Sequence, residues 1–364
     1  MKILWLANVP APYRVSFFNE LGKHCELVVL FEKATSDERD SSWKNYEFSN
    51  FKGIILNGKS INQDTAVCFN VVRYIKKDEY DHIIVTNFTD PTGMIAIEYM
   101  RARKIPYWLE SDGGFAKNGK GLKERIKLHF IKNAGLYLST GATHTEYYLQ
   151  YGAKMEKIRK YPFSSIWDKE VMDKPIDATL RKELRKELSI TEDRVILTVG
   201  QFIPRKGFDV LLKACIGLDN DIGIYFVGGS PTSEYIDLVE RNNLRNVHFI
   251  GYKSKDDILK YYRAADVFVL PTREDIWGLV VNEALSCGIP VISTTQCGAA
   301  LEQIKDGENG YIIDADDSVM LKRTIEKILD YPNPEIMKKN ALMMARNYTI
   351  EKMTLAHMEM FNSN

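Results

Sequence analysis

A chain of 364 residues is longer than one hydrophobic core comfortably fills, so two domains are expected. Its 45% apolar and 27% charged residues are those of an ordinary soluble globular protein. Lys plus Arg equals Asp plus Glu at 49 each, so overall charge speaks against a nucleic-acid partner. The balance conceals an asymmetry: residues 1–165 carry 24 basic and 18 acidic side chains, a net +6, and the remainder carries 25 and 31, a net −6. A basic half suggests that the first part of the chain meets something anionic.

The opening "MKILWLANVPAPYRVSFF" has a short apolar run broken by Pro10 and Pro12, without the longer run and cleavage site of a signal peptide. "KILWLANV", "CELVVLFE", "HIIVTNF", "PYWLESD" and "LYLST" read as strands. Between them "YRVSFFNELGK", "TAVCFNVVRYIKKD", "GMIAIEYMRARK" and "GLKERIKLHFIKNA" read as helices, which is the alternation of parallel α/β units. Residues 164–189 form a polar, charged stretch, and the domain junction is placed there, with domains at 1–165 and 166–348. Beyond it, "RVILTVG", "IGIYFVGG", "NVHFIGY", "DVFVLP", "PVISTT" and "GYIID" read as strands buried on both faces. The fold class is α/β, two doubly wound Rossmann-like domains with a cleft between them. Ligands in such sheets bind beyond the carboxyl ends of strands, so the loops that follow strands matter most. Five scattered cysteines without metal or disulfide spacing favour a reduced compartment, and no apolar run is long enough to span a membrane. A cytoplasmic location is expected.

Three post-strand loops stand out. "TREDIWGLVVNEALSCGIPVI" places Asp275, Ile276, Trp277 and Gly278 at a helix start, where free N–H groups and the helix dipole favour an anion. Glu283 lies about one and a half turns further on, within reach of a ligand lying across that start. The plain alternative is helix capping by Asp275 and a solvated Glu283. "GQFIPRKGFDVLLKA" presents Arg205 and Lys206 before Gly207, and "CGAALEQIKDGENGYII" supplies a third loop, from Gly298 to Glu302.

With these residues the chain resembles the retaining glycosyltransferases of family 4, which have the two-domain GT-B fold. Two acids separated by seven residues, the following "EALSCGIPVI" and the preceding "GQFIPRKG" carry the resemblance, which is strongest from residue 194 to 313. By resemblance, Glu283 is expected to hold the ribose hydroxyls of a sugar nucleotide and Asp275 the hydroxyls of the donor sugar. Trp277, Gly278 and Leu279 are expected to offer backbone N–H groups, and Lys206 to bind the diphosphate. Glu302 matches the acid of the third loop, with Gly298 as its first glycine. A C-terminal helix at about 349–362 is expected to pack back on the first domain.

The departures are as informative. The first acid is usually Glu, and Gln201 stands where the family has its diphosphate arginine; Arg205 is expected to restore that charge. In the first domain "NVPAPYRVSFF" replaces the usual glycine pair, which makes Arg14 a weaker donor candidate. Glu110 and Asp112, in "PYWLESDGG", are acceptor or donor-sugar candidates, against the alternative of two solvated loop acids.

The resemblance implies transfer of a sugar from a UDP or GDP sugar to a saccharide or polyprenyl-diphosphate-linked acceptor, with retention, in cell-surface polysaccharide synthesis. Fixed cations would stabilise the leaving diphosphate, which itself takes the acceptor proton, so neither a protein nucleophile nor a cofactor or metal is expected. The six histidines show no ligand spacing, and the "DND" at Asp219 and "DAD" at Asp314 read as turns. The basic amphipathic stretch 117–134 reads as a solvated helix or as a contact with an anionic membrane surface on the inner face of the cell membrane. Two other classes remain open: a sugar-nucleotide epimerase of the same fold, and a non-catalytic sugar-nucleotide-binding partner.

Overall fold

The structure, a computed structural model, describes residues 1–34, 47–62, 65–117, 119 and 121–363. The chain divides into two compact units, Met1–Ser165 with Thr349–Asn364, and Ile166–Tyr348.

The first unit runs β1 (Lys2–Ala7), α1 (Pro12–Leu21), β2 (Glu26–Phe31), β3 (Lys52–Ile55), β4 (Lys59–Ser60), β5 (Ala66–Val67), β6 (His82–Val85) and α2 (Pro91–Ala102). It continues through β7 (Trp108–Glu110), α3 (Leu122–Ile131), β8 (Leu136–Ser139), α4 (Ala142–Gln150) and β9 (Ile158–Lys160). Seven parallel strands take the order β3-β2-β1-β6-β7-β8-β9, while β4 and β5 form a separate antiparallel pair. Strand β1 is central, paired from Lys2↔Glu26 to Ala7↔Phe31, and its residues 3–7 are buried because helices cover both faces.

Two local expectations need correction. "TAVCFNVVRYIKKD" is not one helix: it forms β5 and then a 3₁₀ turn, Phe69–Arg73, with Val71 and Ile75 buried and Phe69 exposed. Two adjacent valines disfavour the helix, and the chain here has to span from the β4–β5 pair to β6. Strand β3 carries no strand signal in the sequence, because an edge strand with exposed ends lacks the apolar run of its neighbours.

The second unit comprises α5 (Ala178–Glu187), β10 (Arg194–Val199), α6 (Phe208–Ala214), β11 (Ile222–Val227), α7 (Ser233–Arg241), β12 (Val247–Ile250), α8 (Lys255–Ala264) and β13 (Val267–Leu270). After these come α9 (Leu279–Ser286), β14 (Val291–Thr294), α10 (Gly298–Gln303), β15 (Gly310–Ile313), α11 (Ser318–Leu329) and α12 (Pro334–Ala345). Its six parallel strands have the order β12-β11-β10-β13-β14-β15. Edge strand β12 is only half-buried, so the expectation of burial on both faces fails there.

Both sheets thus start at a central strand, grow outward to one edge and then reverse to the other side. The reversal falls between β1 and β6 in the first unit and between β10 and β13 in the second, and it opens a crevice at the carboxyl ends of those strands.

The final helix, α13 (Ile350–Asn362), belongs to the first unit and packs on α1. Its His357 is enclosed by Trp5, Phe17, Tyr161 and Phe361, and burial pushes this imidazole down to about 4, so it is neutral near pH 7.

Candidate functional site

In the second unit the site is built where the sheet reverses. Beyond β10 the chain makes a 3₁₀ turn, Pro204–Lys206, and Gly207 turns it into α6 with φ 67°. A Cβ on Gly207 would lie 2.0 Å from the Pro271 carbonyl oxygen, so glycine is what lets the loop after β10 touch the loop after β13. The two loops are joined residue by residue. Thr272 Oγ1 and the Arg273 N–H both donate to the Arg205 carbonyl, at 2.8 and 2.7 Å. Arg205 Nη1 donates to the Glu274 carbonyl at 3.2 Å, and Lys206 Nζ meets Asp275 Oδ2 at 2.5 Å.

Asp275 is therefore not a helix cap. The cap position of α9 is Gly278, at φ 99°, and among the described residues no side chain caps that helix start. The loop also binds its neighbour after β14. The Asp275 N–H donates to Gln296 O at 2.8 Å, Gly298 N–H to Asp275 O at 3.2 Å and Ala299 N–H to Trp277 O at 2.7 Å. Gly298 is required by the same closeness, since a Cβ there would lie 2.4 Å from the Ile276 carbonyl oxygen. Trp277 and Gly278 are buried, and Leu279 is half-buried at the first position of α9.

Glu283 is not a solvated surface acid. Burial pushes its carboxyl above the usual carboxylate range; a Tyr262 hydroxyl at 3.0 Å and the charges of Lys255 and Lys206 oppose that, while Glu170 adds to it. Tyr262 donates to Oε2, and among the described residues none donates to Oε1, which leaves an acceptor for a ligand hydroxyl. Glu302 is half-buried on α10; Tyr348 is pushed up to about 12, mainly by burial and further by Glu302. Gln201 and the Arg205 side chain are exposed. The three loops thus bring together Lys206, Arg205, Asp275, Trp277, Gly278, Leu279 and Gly298, with Glu283 coupled to Lys206 by charge.

A cavity of about 940 Å³ in this unit lies elsewhere, lined by Arg181, Arg185, Asp193, Asp266 and Lys338 among others. Asp193 and Asp266 precede β10 and β13, so it borders the amino ends of the strands, where Arg181 and Arg185 pair with Asp266. Physical chemistry favours the carboxyl ends as the site.

In the first unit a polar network occupies the corresponding place. Arg14 Nη1 binds Glu110 Oε1 at 2.7 Å and its Nη2 pairs with Asp112, whose other oxygen accepts from Tyr13 at 2.6 Å. Glu110 also accepts from the hydroxyls of Tyr161, at 2.6 Å, and Thr86, at 2.9 Å. This corrects the alternative of a solvated loop acid at Glu110. Glu110 is wholly buried and Arg14 is 4% exposed, and the hydrogen bonds seen go to each other and to neighbouring side chains, so both are engaged within the protein rather than solvated. They hold Asp112, whose side chain keeps 40% exposure and remains the candidate contact. Ser111 Oγ lies 2.9 Å from Nε2 of His144, which burial drives down to about 3.

Several of these residues carried no signal in the sequence. Tyr13, Tyr161 and Tyr262 look like core aromatics until the partners of their hydroxyls are seen. Arg273 was legible in principle, as a cation two residues past the proline that follows β13.

The sequence profile of the family "Glycosyl transferases group 1" matches residues 181–344. An uncharacterized glycosyltransferase of Methanocaldococcus jannaschii is 26% identical over 325 residues, 85% of each chain. A D-inositol 3-phosphate glycosyltransferase of Xylanimonas cellulosilytica is 31% identical over 174 residues, 46% of this chain and 42% of the relative. Among solved structures, HepE of Anabaena in complex with UDP superposes with a TM-score of 0.82 at 18% identity, covering all of both chains; it has also been solved with UDP-glucose. The likeness in structure identifies the fold as GT-B.

Proposed function

We propose that this chain is a group 1 glycosyl transferase that moves a sugar from a nucleoside-diphosphate sugar to a saccharide or lipid-linked acceptor with retention of configuration. The observation that carries the reading is the Lys206–Asp275 pair at the reversal point of the second sheet, beside the uncapped start of α9. Lys206 has three donors and, among the described residues, spends one on Asp275, so two are left for diphosphate oxygens. Asp275 keeps Oδ1 for a sugar hydroxyl and Glu283 keeps Oε1 for a ribose hydroxyl. The amides of Trp277, Gly278 and Leu279 add dipoles at the same place. UDP is the favoured donor nucleotide because a protein of the same fold binds it. Charge growing on the leaving diphosphate meets Lys206 and Arg205, so the reaction proceeds without a metal or other cofactor.

The test is release of nucleoside diphosphate from UDP and GDP sugars, with and without candidate acceptors and with excess chelator. Release that depends on acceptor and persists in chelator is expected. Interconversion of sugar epimers without release would mark an epimerase, and binding without turnover a non-catalytic partner.

The acceptor is proposed to be lipid-linked, reached by resting α3 on an anionic bilayer at the cytoplasmic face of the membrane. No helix among the described residues is long and apolar enough to cross a membrane. Leu122, Ile126 and Leu128 are 73%, 37% and 41% exposed, beside exposed Lys123, Arg125 and Lys132. Lys127 instead turns onto Tyr151 and Glu124, and Lys120 lies outside the described residues. Lys123→Glu with Arg125→Glu should abolish flotation with anionic vesicles, since each cation is worth about 1 kcal/mol near such a surface. Binding that ignores both substitutions and salt would return α3 to a plain solvated helix.

A further inference from the structure

We propose that Arg273 is the positioning residue of the donor site, one guanidinium that ties together the loops after β10, β13 and β15 and thereby fixes where Lys206 and Asp275 meet. The proposal rests on the reading of that pair as the donor-diphosphate site.

Arg273 sits in the loop after β13. Its Nη1 and Nη2 grip both oxygens of Asp209, in the first turn of α6, at 2.9 and 2.8 Å. Nη1 also donates to the Pro204 carbonyl at 2.6 Å, in the turn that carries Lys206. Nε reaches Asp316 Oδ1 at 2.6 Å, in the loop after β15. Its own N–H closes on the Arg205 carbonyl. Each guanidinium nitrogen is thus used, in the planar fork that only arginine supplies. Burial opposes charge on Asp209, yet Arg273 and Lys213 hold its carboxyl below the usual range.

The backbone of Asp316 supports a specific purpose. It adopts φ 65°, a left-handed conformation that glycine would take without steric cost, while Asp317 is the residue that caps α11. A carboxylate stands at a glycine-like position, and there it makes the bond to Arg273. That provides a variant which removes the bond without straining the backbone. Asp316→Gly should fold and melt like the wild type, whereas Asp316→Asn keeps the acceptor oxygen and the turn.

Hydrogen exchange by mass spectrometry reads the proposal whatever the donor is. In Asp316→Gly and in Arg273→Lys, amides of 204–207 and 272–275 should exchange faster on the order of tenfold, the factor carried by one charged hydrogen bond. Asp316→Asn should restore protection. In parallel, UDP affinity should fall in the first two variants and recover in the third. Faster exchange confined to 314–317 in Asp316→Gly, or unchanged exchange in both variants, would overturn the proposal. Loss of protection throughout the second unit, together with a lower melting midpoint, would also overturn it by making Arg273 a general stabiliser. If wild-type protein binds no UDP while the exchange pattern appears, the clamp stands and the donor reading fails.

Discussion

Lys206→Ala should lower turnover by about 10²–10³-fold, more than it weakens donor binding, because a fixed cation acts most strongly where charge develops. The geometry gives this expectation its content. Lys206 and Asp275 pair at 2.5 Å with side chains 12% and 14% exposed, so the ammonium is held in place before any ligand arrives. Removing it also leaves Asp275 half-buried without its counter-charge, which by itself costs stability. The double variant Lys206→Met, Asp275→Asn separates the two effects: the fold should recover and turnover should not. Arg205 carries the other half of the expectation. Its side chain is exposed and rests on the Glu274 carbonyl, four residues beyond the neutral Gln201. If it stands in for the missing arginine, Arg205→Ala loses turnover and Gln201→Arg partly restores it. Wild-type turnover in Arg205→Ala would leave the diphosphate to Lys206 and the α9 amides.

Glu283→Ala should weaken donor binding by about 1.5–3 kcal/mol, the range of a hydrogen bond to a charged group. Glu283→Gln adds a signature in stability. Burial raises the Glu283 carboxyl in the folded state, so the folded protein holds this proton more tightly than the unfolded chain does. A raised carboxyl contributes most to stability below its unfolded pKa, and that contribution is lost as pH climbs through the folded value. Glu283→Gln should therefore melt like the wild type in acid and above it once pH passes the raised value, while binding donor more weakly. Equal melting at every pH would show that the carboxylate carries no burial strain, and unchanged nucleotide affinity would remove Glu283 from the site.

The alternation of strands and amphipathic helices was legible because β-branched runs such as "RVILTV" have one home, a strand covered on both faces. The failures fell where packing overrides pattern, at 65–78 and at edge strand β3. The second-unit site was legible as loops, since glycine at 207 and 298 marks places where backbones touch, and Gly278 takes a positive φ at the start of α9. Sequence spacing could not reveal which side chains meet. Asp275 looked like a cap and takes Lys206; Glu110 looked like a cleft acid and is buried under Arg14, Tyr161 and Thr86. These pairings join residues tens of positions apart and follow from the order of the strands, which no local pattern encodes.

The most direct test is the shift in melting midpoint with UDP, GDP and their sugar conjugates, for the wild type and for Glu283→Gln combined with Lys206→Met. A ligand that binds only the folded state at about 100 times its dissociation constant adds about 2.7 kcal/mol to stability. At least one nucleoside diphosphate should raise the wild-type midpoint by that order and leave the double variant unmoved. No shift with any of them, or an equal shift in both proteins, would contradict a donor site at the carboxyl ends of β10 and β13.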